Sequence, residues 1–326
     1  MRNKSFIMLS KSMTLKVLLI LMSTLLMIVP KQAYASEAVS FNDANLEQLV
    51  REELGKPYGE ITKEDMEQLH VLYGGWSGIK DLTGLEYAIN LEFLDLCENN
   101  ISDITPLKNL TNLEYLNLGY NNISDITPLK NLTNLEYLDL GYNNISDIGA
   151  LEKLINLKTL DLSGNNISNI DTLNNLVNLE YLYLYDNQIT DVNSLANLTN
   201  LVALDLDYNN ISDISALGNL VNLEYLYLGN NQVLDISVLK NLRNLWSLDL
   251  SNNNIINIDV LENHTQLGYL WLYNNYLDLS EGSKSMQIIN KLISNDVYVV
   301  YYPPILEGGG FRFGWLKVGG KWYYLD

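Results

Sequence analysis

The chain has little cysteine, histidine or proline. Its 326 residues include one cysteine, two histidines and six prolines. The single cysteine, Cys97, cannot form an internal disulfide, so stability must come from packing alone. Two histidines, His70 and His264, offer no cluster with the spacing of a metal site, and we interpret both as structural.

Basic residues are also scarce. The chain has 20 Lys and Arg against 39 Asp and Glu, a formal net charge of −19. Such an acidic surface repels phosphate backbones and anionic lipid headgroups. We therefore predict that neither nucleic acid nor an anionic membrane surface is a partner. Basic, polar or neutral partners remain open.

Only one apolar run is long, and it lies at the N-terminus. Val17–Val29 follows Arg2, Lys4, Lys11 and Lys16 and precedes Ala33-Tyr34-Ala35. The run is shorter than the roughly 20 residues of a membrane-spanning helix. The pattern predicts a signal peptide over residues 1–35 and export of the protein, with an uncleaved membrane anchor as the alternative. Cleavage would remove five basic residues and no acidic one, leaving 15 against 39.

Leucine, in contrast, recurs at a fixed spacing. The pattern L-x-x-L-x-L-x-x-N-x-I-x-x-I-x-x-L-x-x-L-x-x returns every 22 residues and opens at Leu91, Leu113, Leu135, Leu157, Leu179, Leu201, Leu223, Leu245 and Leu267. Its L-x-L centre alternates with the period of a short strand. Stacked coils would pair these strands in parallel, about 4.8 Å apart. The pattern predicts an α/β repeat solenoid with one parallel sheet.

One asparagine per coil occupies a fixed column. The column consists of Asn99, Asn121, Asn143, Asn165, Asn187, Asn209, Asn231, Asn253 and Asn275. A buried amide supplies donors and an acceptor for the backbone groups that the chain leaves unpaired as it bends out of each strand. We predict that this column is structural.

The coil repeats I-S-D-I and N-L-T-N-L almost verbatim, and in this it resembles the internalin-type leucine-rich repeat proteins of bacterial surfaces. The resemblance implies a leucine-rich repeat arc with a concave sheet and a helical N-terminal cap. It places the cap at residues 36–68 and one degenerate and nine regular repeats at 69–276. The residues that follow the last regular repeat predict a C-terminal cap at 277–302.

Local patterns within the caps predict three helices and a strand. Asn42–Leu54 has one apolar face, and Thr62 with Asp65 forms a capping box for a second helix. Residues 284–294 fit a third helix, for which we predict Met286, Ile289, Leu292 and Ile293 as the buried face. Residues 297–302 follow as a strand that would close the stack.

Outward-pointing strand residues form the candidate binding surface, because alternate side chains of a strand leave the core. The candidates are Tyr115, Tyr137, Asp139, Asp161, Tyr181, Tyr183, Asp205, Tyr225, Tyr227, Asp249, Tyr269 and Trp271. Tyrosine and tryptophan are common anchors of protein interfaces, and aspartates among them favour Lys- or Arg-bearing partners. A carbohydrate-binding face is one alternative. Another is that the tyrosines merely pack on one another and were copied with the repeat.

Catalytic and metal-binding alternatives have weak support. Asp139 and Asp161 lie on adjacent strands, at the roughly 5 Å spacing of a retaining glycosidase pair. We expect a water-filled hollow to lack the desolvation that raises the pKa of one carboxyl. Asp205-x-Asp207-x-Asn209 lacks the glycine and glutamate of a calcium loop. We predict no enzyme activity, no metal and no cofactor.

The last residues differ in composition from the repeats. Residues 303–310 contain Pro303-Pro304 and three glycines and predict a linker. Residues 311–326 include Gly314-Trp315 and Gly320-x-Trp322-Tyr323-Tyr324, and resemble one copy of the cell-wall-binding repeat of choline- and glucan-binding proteins. The resemblance implies Trp315, Trp322 and Tyr324 as contacts for a choline or glycan polymer. A single hairpin is marginally stable, so a vestigial tail is the alternative.

Taken together, these patterns predict a monomeric protein that is secreted, exposed at the cell surface or associated with the cell wall. Its concave face is predicted to recognise a protein partner in adhesion or host interaction. Two alternatives remain open at this point. One is a carbohydrate-binding or polysaccharide-processing envelope protein, and the other is a structural envelope component.

Overall fold

The computed structural model describes residues 37–302, together with the backbone of Gly314–Val318 and Lys321–Leu325. The predicted signal peptide (1–35) and linker (303–310) lie outside the described residues. In the part of the chain that is described, no helix has the length and apolar content needed to cross a membrane.

Two helices form the N-terminal cap, as predicted. Helix α1, Ala44–Glu53, begins after Asp43, whose carboxylate accepts hydrogen bonds from the backbone N–H groups of Asn45 and Leu46. Helix α2, Lys63–Met66, is a single turn, and Thr62 and Asp65 cap it reciprocally. Leu46, Val50 and Met66 are fully buried and cover one end of the repeat core.

Eleven parallel strands form one sheet in chain order. They are β1 Val71–Tyr73, β2 Phe93–Asp95, β3 Tyr115–Asn117, β4 Tyr137–Asp139, β5 Thr159–Asp161, β6 Tyr181–Tyr183, β7 Ala203–Asp205, β8 Tyr225–Tyr227, β9 Ser247–Asp249, β10 Tyr269–Trp271 and β11 Tyr298–Val300. Neighbouring repeat strands pair with a 22-residue offset, as Leu116 does with Leu138. This register follows from the constant length of the coil. The degenerate repeat supplies β1 and the C-terminal cap supplies β11.

The opposite side of each coil is a short 3₁₀ helix. These helices are Leu85–Tyr87, Thr105–Asn109, Thr127–Asn131, Gly149–Lys153, Asp171–Asn175, Asn193–Leu195, Ser215–Asn219, Ser237–Asn241 and Asp259–Asn263. Pro106 and Pro128 lie in the first turn of their helices, where a backbone N–H has no intrahelical partner. A compact 3₁₀ turn opposite a short strand keeps the coil within 22 residues.

The core is a continuous stack of leucine and isoleucine, and the asparagine column closes it beside the strands. Asn143 is representative. Its Oδ1 accepts a hydrogen bond from the N–H of Ile123 at 2.9 Å, and its Nδ2 donates to the carbonyls of Leu118 and Leu140 at 3.0 and 3.1 Å. The amide thus joins adjacent coils, which confirms its predicted structural role.

Helix α3, Lys284–Ser294, begins at the Ser283 N-cap and has the predicted bounds. Its predicted buried face is wrong at one position. Ile293 is exposed, whereas Ile288 is buried beside Ile289 and Leu292. The buried residues Ser285, Ile288, Ile289 and Leu292 follow the i, i+3, i+4, i+7 spacing of one helical face, and Ile293 lies outside it.

Near the C-terminus, strands β12 (Gly314–Val318) and β13 (Lys321–Leu325) pair antiparallel, with Trp315 opposite Tyr324. This backbone pairing agrees with the predicted hairpin. The side chains of Trp315, Trp322 and Tyr324 lie outside the described residues.

Candidate binding surface on the concave face

All twelve predicted surface residues lie on strands of the sheet, on its outward face. They fall into two columns that run along the stack. The first column contains Tyr115, Tyr137, Tyr181, Tyr225 and Tyr269. The second contains Asp139, Asp161, Tyr183, Asp205, Tyr227, Asp249 and Trp271. The repeat therefore brings these residues together, although they are spread over about half of the sequence.

The first column is a stacked ladder at its N-terminal end, and further along the stack it is interrupted by small residues. The rings of Phe93, Tyr115 and Tyr137 stack at centroid distances of 4.1 and 4.3 Å. This half agrees with the alternative that tyrosines were copied because they pack on each other. Tyr181 lies beside Ala203 and Tyr269 lies beside Ser247, and the two tyrosines are 37% and 40% exposed.

The aspartates of the second column have a local structural role that the sequence analysis did not anticipate. Oδ1 of Asp139 accepts a hydrogen bond from the N–H of Gly141 at 2.9 Å, and Asp161 accepts from Ser163 at 2.8 Å. Asn117 makes the same bond to Gly119. Each side chain satisfies a backbone donor where the strand ends. The Asp-x-Gly and Asp-x-Ser spacing, typical of Asx turns, could have revealed this.

The expectation that the hollow leaves these carboxyls fully solvated is wrong. Burial raises the pKa of Asp139 to about 6 and that of Asp205 to about 6, and it also raises the pKa of Asp161. Neighbouring side chains on the sheet remove water from them. Asp139 and Asp161 each accept a hydrogen bond from a backbone N–H just beyond the end of their own strand. The two carboxyls with raised pKa values therefore have a structural role.

Asp207 is an acidic residue that the sequence analysis did not place on the surface. Its position in the other repeats holds Cys97, Gly119, Gly141, Ser163, Tyr185, Gly229, Ser251 and Tyr273. Oδ1 of Asp207 accepts a hydrogen bond from the N–H of Gly229, on the next coil, at 2.5 Å. Burial, followed by the charges of Asp205 and Asp249, raises the pKa of Asp207 to about 8.

One residue per coil, directly after this position, has a left-handed backbone. We call these residues the exit column. They are Trp76, Glu98, Tyr120, Tyr142, Gly164, Asp186, Tyr208, Asn230, Asn252 and Asn274, with φ between 51° and 63°. Glycine, asparagine and aspartate are favoured in this conformation, and bulky residues are outliers. Trp76, Tyr120, Tyr142 and Tyr208 are nevertheless aromatic, and all four are 40–76% exposed.

An aromatic cluster lies at the C-terminal end of the surface. Its centre is Trp246, which was not predicted as a site residue and which is exposed. The Trp246 ring makes edge contacts with Tyr225 at 5.7 Å and Tyr269 at 4.9 Å, and Tyr269 stacks on Trp271 at 5.9 Å. Five other coils have a glutamate at this position, namely Glu92, Glu114, Glu136, Glu180 and Glu224. The tryptophan is therefore a departure from the repeat, and aligning the coils could have identified it as a candidate site residue from the sequence.

The histidine, cysteine and acidic residues that are described form no group of three or more arranged to hold a metal ion. His264 is buried where other coils have leucine, and its ring nitrogens lie 3.1 and 3.0 Å from the carbonyls of Val260 and Leu239. His70 is exposed beside Glu92. Burial raises the pKa of the Cys97 thiol to about 11, which disfavours the reactive thiolate.

The sequence and the structure both have known relatives. A family model described as Leucine Rich repeats (2 copies) matches residues 89–131, 133–176, 155–197, 177–219 and 199–241. No curated protein matches the sequence. A plant peptide hormone receptor, RGFR1, solved in complex with RGF2, shares the fold at a TM-score of 0.60 and 22% identity, over 75% of this chain and 41% of the receptor.

Two bacterial structures are more similar in sequence. An internalin (inlF) from Listeria monocytogenes is 33% identical over 84% of this chain and 93% of that one, with a TM-score of 0.56. An internalin C2 from the same organism is 36% identical over 69% of this chain and 99% of that one, with a TM-score of 0.63. With its 22-residue coils, asparagine column and N-terminal cap, the chain belongs to the internalin family of leucine-rich repeat proteins.

Proposed function

We propose that the protein is a secreted or cell-surface binding protein whose concave face recognises a protein partner in adhesion or host interaction. The observation that carries the proposal is the set of four aromatic residues in the exit column. They lie where the backbone favours glycine, asparagine or aspartate, and they face solvent.

These aromatic residues are costly for the fold. A left-handed conformation costs a non-glycine residue roughly 1–2 kcal/mol. Asn230, Asn252 and Asn274 occupy the same column, so the coil closes without an aromatic ring there. Retention of exposed rings at a strained position favours a role in recognition, where aromatic side chains commonly anchor partners.

The rest of the surface supports the same proposal. The Trp246 cluster provides an exposed aromatic area, and the aspartates beside it give the face a negative charge that suits a basic partner. The sequence relatives are Listeria internalins, and a plant peptide hormone receptor of the same fold was solved in complex with RGF2. The signal peptide predicted at residues 1–35 is consistent with a secreted or cell-surface location.

One observation favours a carbohydrate partner as a second candidate. The rings of Tyr120 and Tyr142 stack at 4.3 Å and are both exposed. A row of exposed aromatic faces also suits the apolar face of a sugar ring. At the C-terminal hairpin, we propose Trp315, Trp322 and Tyr324 as contacts for a choline or glycan polymer of the cell wall.

The test is a capture experiment with the immobilised full chain and extracellular protein and glycan mixtures. One test variant replaces Tyr181, Tyr183, Tyr225 and Tyr227 with serine. A second replaces Trp76, Tyr120, Tyr142 and Tyr208 of the exit column with asparagine, the residue found at three positions of that column. The matched control replaces Ile155, Val177 and Val221, which are exposed on the turns that precede the strands, with the threonine found at positions 111, 133 and 199.

We expect specific proteins to be retained by the full chain and by the control and lost from both test variants. Equal recovery by all four proteins would contradict a concave binding face, and full recovery by the exit-column variant alone would contradict a recognition role for its four aromatic residues. Retention of glycans alone would favour the carbohydrate alternative.

A further inference from the structure

Three successive members of the exit column place a carboxylate between two aromatic rings. They are Trp76, Glu98 and Tyr120, on adjacent coils at the N-terminal end of the concave face. The backbone holds them in line, since the N–H of Trp76 donates to the carbonyl of Cys97 at 3.0 Å and that of Glu98 donates to the carbonyl of Gly119 at 2.9 Å. We call this arrangement the Glu98 slot.

The carboxylate lies deeper than the rings on either side of it. Trp76 and Tyr120 are 76% and 50% exposed, whereas Glu98 is half-buried. Among the described members of the exit column, Glu98 is also the one that is neither aromatic nor a glycine, asparagine or aspartate, the residues that a left-handed backbone favours. The slot therefore has two rings as its walls and a carboxylate as its floor.

Neither the carboxylate nor the Trp76 ring has a partner within the described repeats and caps. Glu98 takes part in none of the ion pairs found there, and Trp76 in none of the ring contacts. In the N-terminal cap, by contrast, Nζ of Lys63 lies 4.6 Å from the centroid of the Tyr87 ring and pairs with Glu37. The same combination of ring and carboxylate thus holds a cation in the cap, while the chain supplies none to the slot.

The slot is wide enough for one flat group. Tyr120 and Tyr142, which are adjacent in the exit column, stack at a centroid distance of 4.3 Å. Trp76 and Tyr120 are two coils apart, and the strands of neighbouring coils are about 4.8 Å apart. A flat cation midway between these two rings would lie roughly 4–5 Å from each, within the roughly 6 Å over which an aromatic face attracts a cation.

We propose that the Glu98 slot receives the guanidinium group of an arginine side chain from the protein partner. This inference rests on the proposed function and identifies the chemistry that this end of the concave face recognises. A guanidinium is planar, so its two faces can lie against the two rings while its edge donates paired N–H groups to one carboxylate. The ammonium of lysine has no flat face and is more strongly hydrated, so it suits the slot less well.

The test measures peptide binding to the full chain by fluorescence anisotropy. The probe is a fluorescein-labelled peptide in which three arginines alternate with serines. Two further peptides replace each arginine with lysine, or with citrulline, which is planar but uncharged. A salt concentration of about 0.15 M screens long-range attraction to the acidic surface.

Three variants alter the slot, and two serve as controls. Glu98→Gln removes the charge of the floor. Trp76→Asn and Tyr120→Asn each remove one wall and introduce a residue that the exit column already contains. Glu114→Gln is the charge control, since Glu114 is an exposed glutamate on the coil of Tyr120 but outside the slot. Tyr58→Asn is the aromatic control, since Tyr58 is exposed in the N-terminal cap.

We expect the arginine peptide to bind about threefold or more tightly than the lysine peptide, and the citrulline peptide not to bind. Glu98→Gln should weaken binding of the arginine peptide by about fivefold or more, and each ring variant by about threefold or more. The two controls should each change it by less than about twofold.

No binding of the arginine peptide, or equal affinity for the lysine peptide, would overturn the choice of a guanidinium. Equal losses in Glu98→Gln and Glu114→Gln would overturn the slot, because binding would then follow net charge alone. Unchanged affinity in either ring variant would overturn it as well. These outcomes are separate from the proposed function, which fails if both capture variants retain their partners as the full chain does.

Discussion

The ring of Tyr142 lies over Gly164 on the next coil. A Cβ atom at Gly164 would approach Cδ1 of Tyr142 to 2.6 Å, and Gly164 has a φ of 63°. Both residues belong to the exit column, and here the glycine makes room for the ring of its neighbour. The tyrosine therefore gains a packing surface at this coil that Tyr208 lacks, since Tyr208 is followed by Asn230 in the column.

Replacement of Tyr208 with asparagine should stabilise the protein. Tyr208 has a φ of 54°, a conformation that asparagine adopts at lower cost. We expect the free energy of unfolding to rise by about 0.5–1 kcal/mol, after allowing for the lost edge contact with Tyr185. Urea unfolding of the variant measures this. Asp186→Asn, in the same column, should leave stability unchanged. A loss of stability in the tyrosine variant would show that the ring serves the fold.

Replacement of Asn165 with alanine should destabilise the middle of the stack. Its Oδ1 accepts from the N–H of Ile145 at 2.9 Å, and its Nδ2 donates to the carbonyls of Leu140 and Leu162, each at 3.0 Å. Alanine leaves these buried groups unpaired, and we expect a loss of about 3 kcal/mol. Thermal and urea unfolding check the value. The neighbouring exposed Asn166→Ala should change stability by less than about 0.5 kcal/mol.

Replacement of His264 with leucine should remove an acid-sensitive element. Burial lowers the pKa of His264, although the carbonyls of Leu239 and Val260 oppose the shift. The unfolded chain therefore binds a proton near pH 6.5 that the folded protein resists, so stability is lost as the pH falls from about 7. Leucine, found at the equivalent position in seven other repeats, should flatten this part of the curve of unfolding free energy against pH. If the unfolding free energy of His264→Leu falls with pH as steeply as that of the unsubstituted protein, the acid sensitivity does not come from His264.

Asp207 should give a pH dependence of opposite sign. Burial and the charges of Asp205 and Asp249 raise its pKa to about 8 in the folded protein. The stability associated with this group is therefore complete below about pH 4 and is lost as the pH rises through about 8. Asp207→Asn should be more stable than the unsubstituted protein at pH 9 and nearly equal to it in stability at pH 4. Asp235→Asn supplies the control, because Asp235 is an exposed aspartate that accepts a hydrogen bond from Ser237 at the start of a 3₁₀ helix. Equal behaviour of the two variants would contradict the prediction.

The repeat architecture was predictable because the 22-residue spacing of the leucine pattern determines it. A constant coil of 22 residues sets the register of every strand, and the asparagine column satisfies the same backbone groups in each coil. Helix α3 was predictable in its bounds for a similar reason, since Ser283 caps its start. Which of its apolar residues face the core depends on how the helix packs on the last coil, and Ile293 was placed incorrectly for that reason.

The details of the surface were less predictable. The pKa values of Asp139 and Asp205 depend on side chains from neighbouring coils that exclude water, and no single repeat contains that information. Trp246 and Asp207 depart from their columns, so aligning the repeats could have identified both. The column that contains Tyr142 and Tyr208 also contains asparagine, aspartate and glycine, which are the residues favoured in a left-handed backbone. The composition of the column could therefore have predicted this conformation.

The central claim is that the concave face binds a protein partner. Its most direct test is the affinity of a captured, purified partner for the full chain, measured by surface plasmon resonance. We expect the substitution of Tyr181, Tyr183, Tyr225 and Tyr227 by serine to weaken binding by about tenfold or more. The threonine control at residues 155, 177 and 221 should stay within about twofold of the unsubstituted chain. Equal affinity in all three proteins, or a loss confined to the threonine control, would contradict the account.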